Sequence, residues 1–181
     1  RWTVASDGTF DVNGNLDANA GLDITGNITG TGDLTLTDTT ADSAAGPEFK
    51  LFRNSASPAD ADYLGQIKFA GESDTGVERN YAKITGKILD ASNGTEDGII
   101  EFAHIKAGSQ TITGRWRSDS LQLLNGTALT VAGSTTVTGN IIPSSDSATD
   151  IGTNSVRFAN IYADTLYGDG SNLTGVGNLQ Y

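Results

Sequence analysis

Cysteine and methionine are both absent from this chain of 181 residues, and histidine occurs once. The missing thiol removes disulfide frameworks, thiolate nucleophiles and zinc–thiolate sites from consideration, and it leaves the redox compartment open. Proline is rare, at 3 residues, and aromatic side chains make up only 7%. No apolar run approaches the ~18 residues of a membrane span, and no signal peptide is visible. The chain opens on Arg1 rather than Met, as expected of a processed or partial polypeptide. Cations are scarce too: 11 Lys and Arg against 22 Asp and Glu give a net charge of −11. That sign argues against nucleic acid or an anionic membrane surface as partner. Leu, Ile, Val and Phe fill only 40 of 181 positions, a thin supply for a core.

Glycine (23), threonine (23) and asparagine (13) are plentiful, a mixture that favours strands and turns. The first forty residues set the rest in order. Val4, Phe10, Leu16, Leu22, Ile28 and Leu34 stand six apart, and Gly8, Gly14, Ala20, Gly26 and Gly32 follow the first five by four. Two places after each anchor comes Ser6, Val12, Ala18, Ile24, Gly30 or Leu36. Chance places such a comb in about one sequence in a hundred of this composition, before the glycines are counted. Each hexad reads as a short strand whose first and third side chains share a face, ended by a glycine corner. A helix needs apolar spacing near 3.6, and each glycine would cost it about 1 kcal/mol.

One ribbon of this kind buries too little to offset the ordering of its backbone. Its apolar edge therefore has to meet other copies, either rung on rung in a solenoid or across several chains wound about a shared axis. Six hexads suit the second arrangement, with Val4, Phe10, Leu16, Leu22, Ile28 and Leu34 as the shaft core. Asp11, Asp17 and Asp23 each follow an anchor and would repeat at one outer position, where solvation suffices to hold them apart.

Four regions follow from the composition. Residues 1–45 are the hexad shaft, with seven Asp and one Arg. Residues 46–124 hold nine of the eleven cations and are expected to form a small antiparallel β-sandwich-like domain. Its expected strands are Phe49–Arg53, Tyr63–Ala70, Tyr81–Leu89, Gly98–Lys106 and Gly114–Arg117, with turns at Ser73–Gly76, Asn93-Gly94, Asp97-Gly98 and Ala107–Ser109. Residues 125–143 return to the hexad pattern, with Val131 and Val137 in step and Gly133 and Gly139 beside them. Residues 144–181 change style again.

There, Asp150-Ile-Gly-Thr-Asn-Ser-Val-Arg-Phe-Ala-Asn-Ile-Tyr162 resembles the "LGSSSNRWxxLY" segment of many bacteriophage tail-fibre and tail-spike proteins. Ile151 stands for the leading leucine and Phe158 for the tryptophan. Gly168-Asp-Gly-Ser-Asn-Leu-Thr-Gly175 resembles a second stretch common in such fibres. The match covers about thirty residues. It implies a homotrimeric virion fibre, joined to other tail or capsid proteins and directed at a host cell-surface glycan or protein receptor. In those proteins the first segment often precedes a trimerising chaperone domain, which is expected here to be either removed or never carried.

Catalytic patterns are sparse. His104 shares a strand face with Ile100, Phe102 and Lys106, and no nucleophile-elbow motif accompanies any serine to make a triad with it. Six-residue periods also mark hexapeptide acyltransferases, but His104 lies far beyond the repeat. Glu96, Asp97 and Glu101 are the densest carboxylate group and the best basis for a glycan depolymerase, which needs a carboxylate pair about 5–9 Å apart. Arg115, Trp116 and Arg117 are the candidates for a glycan contact, Trp116 by stacking on a sugar ring and the two arginines, on the opposite side of the strand, by pairing with acidic groups. The expectation is an elongated, all-β, homotrimeric and non-enzymatic fibre, without cofactor or metal, that presents or extends receptor-binding sites. A depolymerase spike and a bacterial surface adhesin are the alternatives.

Overall fold

The computed structural model describes residues 21–165, 167 and 168. Every regular element in them is a strand. β1 (Tyr63–Glu72), β2 (Glu78–Asp90), β3 (Asp97–Lys106), β4 (Ser109–Arg117) and β5 (Leu121–Leu123) form one sheet in the order β1-β2-β3-β4-β5, each antiparallel to the next. The alternation that predicts these strands also assigns their faces. Gln66, Thr85, Glu101, Arg115 and Gln122 sit opposite one another across the five strands, and Ile67, Ile84, Phe102, Gly114 and Leu123 form the next row on the other side.

Short turns join neighbouring strands. The Ser73 N–H donates to the Val77 carbonyl at 2.9 Å, and Gly76, at φ +74°, donates to the Ser73 carbonyl at 2.9 Å. Ala107 and Gly108, at φ +48° and +80°, make the two-residue turn between β3 and β4, the doubly left-handed form that matches strand twist. In the β2–β3 loop the Asp90 carboxylate accepts the Ser92 N–H at 2.8 Å. That backbone hydrogen bond, then the Ser92 and Thr95 side chains, hold the Asp90 carboxyl below its ordinary range. Four register shifts leave Leu64, Tyr81, Leu89 and Thr113 without partners, and such bulges sharpen the twist of a sheet.

Several expectations for residues 46–124 need correction. The domain is a single layer: no second sheet lies among the described residues, so it is not a sandwich. Phe49–Arg53 joins no ladder; Arg53 instead donates to the Tyr63 carbonyl at 3.1 Å and pairs with Asp62 at 3.1 Å, tying the segment to the start of β1 by side chain. Asp97-Gly98 opens β3 rather than turning, because the reversal is completed earlier, at Gly94 with φ +90°. β4 begins five residues before the expected Gly114. Asn125 closes the sheet, its amide donating to the Ile112 carbonyl at 2.7 Å while Lys106 Nζ donates to the Asn125 carbonyl at 2.6 Å.

The chain divides into two units by contact, of which the sheet belongs to the first and residues from 128 onward to the second. Within the first unit, residues 21–62 contain no strand. Leu22, Ile28 and Leu34 are exposed there, whereas Val4, Phe10 and Leu16 lie outside the described residues. The second unit has no regular element among its described residues, which include 128–143 of the shaft expected at 125–143. Its clearest local structure is a turn at 152–157. Thr153 N–H donates to the Val156 carbonyl at 2.8 Å, Val156 N–H returns to Thr153 Oγ1 at 2.9 Å, and Arg157 Nε reaches the Asn154 carbonyl at 3.1 Å. Gly152 opens it at φ +84°, where a Cβ would stand 3.1 Å from the Val156 carbonyl. The segment from Asp150 thus begins on a turn that needs glycine.

Candidate functional site

The charged face of the sheet gathers most of the chain's polar chemistry. Glu101, at the centre of β3, is 5% exposed. Arg115 reaches it from β4 with Nε 2.8 Å from Oε1, and Lys87 reaches it from β2 with Nζ 3.7 Å from Oε2. These positions meet because Thr85, Glu101 and Arg115 are directly opposite in the ladder, with Lys87 one diagonal away. Beside them the Gln66 amide donates to Thr85 Oγ1 at 3.2 Å, and Lys87 Nζ lies 4.8 Å over the Tyr63 ring. Lys68 and Lys83 face each other on the same side, a like-charge pair that costs stability.

Arg117 stands over Ile99, in the next row from Arg115. Its Nε is buried without a hydrogen bond, 3.6 Å from Asp119 Oδ1, which gives an ion pair but not a bonded one. A cavity of about 220 Å³ opens here between Asp60, Lys87, Glu101, Arg115 and Arg117. The sequence-predicted pair Arg115 and Arg117 therefore does share a face and a hollow. Arg115 is already committed to Glu101, which leaves Arg117 and Lys87 as the cations with spare donors.

Trp116 points the other way. It lies on the apolar face, edge-on to Phe102 with ring centroids 5.1 Å apart and planes at 73°. One sugar ring cannot stack on Trp116 and pair with Arg115 or Arg117, because the sheet stands between them. The three residues are not one subsite.

No family model, curated protein or solved structure matches the chain. Its chemistry has to be read from its own geometry.

Two of the three carboxylates named for glycan cleavage already have partners. Glu96 accepts the Gly94 N–H at 2.9 Å inside the β2–β3 loop, and Glu101 is held by Arg115 and Lys87. Asp97 and Glu101 are four residues apart on one strand, roughly 13 Å at ~3.4 Å per residue, beyond the spacing of a hydrolytic pair. His104 Nδ1 is 2.6 Å from Thr113 Oγ1, an exposed contact on the apolar face with no carboxylate in it. Among the described residues, no three of His, Cys, Asp and Glu converge on a common point. Of the expected Asp repeat, only Asp23 lies within the described residues.

The Glu101 network escaped sequence reading because it depends on register. Glu101 and Arg115 are 14 residues apart, and only the Ala107-Gly108 turn with the Thr113 bulge brings them face to face.

Proposed function

We propose that this chain is a structural, non-enzymatic segment of a homotrimeric phage fibre or related virion appendage that extends or presents receptor-binding sites toward a host surface. The observation that carries the reading is the six-residue comb together with the exposure of its described members: Leu22, Ile28 and Leu34 are 64%, 80% and 76% exposed. A hexad that turns one apolar anchor per rung inward has to find its cover in parallel copies. The phage-fibre resemblance of residues 150–175 supports the same reading. So does the core of the sheet, where Ile99 and Ala103 are the only buried apolar residues among those described.

Function would then be mechanical and multivalent. Three identical chains carry three copies of each weak contact, and linked contacts exceed the affinity of one by about a hundredfold or more. The charged hollow beside Arg115, through Lys87 and Arg117 as its cations with spare donors, is the contact we assign to an anionic group of a surface glycan. Light scattering on purified full chain, paired with an unheated detergent gel, tests the reading. A mass three times 18.7 kDa is expected, and a mass of 18.7 kDa overturns it.

A further inference from the structure

We infer that the bare apolar face of the sheet is the surface through which copies of this chain pack together. The inference rests on the fibre reading above and names the contact within it. An antiparallel sheet that stands alone in water covers its apolar face and wets its polar one. Here every buried side chain among the described residues lies on the other side: Thr85, Ile99, Glu101 and Ala103, on the charged face, are 4%, 8%, 5% and 5% exposed, whereas Phe69 and Trp116 are each 54% exposed and Leu121 is 64% exposed.

The patch has the size of a contact. Ile67, Phe69, Ile100, Trp116, Leu121 and Leu123 together leave on the order of 600 Å² of apolar side chain in water, the upper end for the largest patch on a monomer. A standard interface covers ~800 Å² on each partner. The surface is also shaped. Gly86 has open space where a Cβ would stand, and a cavity of about 460 Å³ lies over it beside Leu64, Ile100 and Trp116. That hollow takes a large apolar side chain from a facing sheet, while the Phe102–Trp116 edge-to-face contact holds its rim in place.

The occupant is a second copy for reasons of charge. None of the six patch residues is ionisable, and His104 and Lys106, on the same face of β3, stand toward its turn end, so the patch itself offers nothing to pair a charged partner. Copies with a net charge of −11 repel one another, and the contact that adds least to that repulsion is an uncharged one. An apolar face is complementary to itself, as association of identical chains requires. Packed this way, Lys68 and Lys83 stay on the outer side, as do Lys87 and Arg117, which the proposed glycan contact needs there.

Because the chain has no cysteine, single thiols report the face directly. The full chain carrying Leu121→Cys is exposed to a water-soluble maleimide, natively and in denaturant, beside a Lys68→Cys version on the charged face. Strand content by circular dichroism and mass by light scattering are recorded for both. Native labelling of Leu121→Cys is expected to be at least about tenfold slower than in denaturant, with Lys68→Cys labelling freely. Rapid native labelling of Leu121→Cys in a protein of multiple mass overturns this contact and leaves the fibre reading standing. A native mass of 18.7 kDa overturns both.

Discussion

Glu101 sets the terms for the residue scale. A carboxylate taken almost wholly out of water is tolerable only while its partners remain, and it has two, at 2.8 and 3.7 Å. Removing one side of such an arrangement strands the other side's charge, at about 3–5 kcal/mol when fully buried. Lys87 and Arg115 keep 17% and 31% of their side chains in water, so solvent offsets part of that loss. Glu101→Gln should therefore lower unfolding stability by about 2 kcal/mol, read by urea denaturation at fixed protein concentration. Glu101→Leu combined with Arg115→Met should lose less than the single change, because replacing both partners leaves no orphan. Equal losses in the two proteins would mean that the carboxylate packs without pairing.

At the scale of elements, the meander is built from local hairpins, and what was legible followed the alternation. β1, β2 and β3 stand close to their expected bounds because Ile67-Lys68-Phe69, Lys83-Ile84-Thr85 and Glu101-Phe102-Ala103 alternate cleanly. The first half of β4 was hidden by the Thr113 bulge, which breaks the period of two, and β5 is three residues long, too short to show a period at all. Phe49-Lys50-Leu51 begins an alternation that Phe52 breaks, and the segment finds no partner edge, so a short pattern does not decide pairing. The β3–β4 turn was marked by Ala107-Gly108-Ser109, though its first residue is a poor one for the geometry. Alanine at φ +48° bears a steric cost that asparagine largely avoids. Ala107→Asn should raise stability by about 0.5–1 kcal/mol without altering register, seen as a higher melting temperature with unchanged cross-strand contacts by nuclear magnetic resonance. A lower melting temperature would show that the methyl group is needed where it lies.

On the scale of the whole molecule, the question is where a chain this poor in apolar residues finds its core. Its sheet shields Thr85 and Glu101 while Trp116 and Phe69 face water, and its described hexad anchors are exposed. Packing energy missing within one chain has to come from between chains if the protein is to be stable, and that coupling makes stability depend on concentration. For three chains melting together, a tenfold rise in protein shifts the balance by about 2.7 kcal/mol per trimer, or ~0.9 kcal/mol per chain. In a chain of this length that corresponds to ~2–4 °C in melting temperature per decade of concentration. Scanning calorimetry across two decades should show the drift, at a slow enough heating rate for unfolding to stay at equilibrium. Placing a charge on the apolar face, as in Trp116→Glu, should lower the melting temperature at every concentration, while Lys68→Gln on the charged face should leave it nearly in place. A melting temperature fixed across two decades would mean that one copy of the sheet holds itself together, and the exposed tryptophan and its neighbours would then need some other cover.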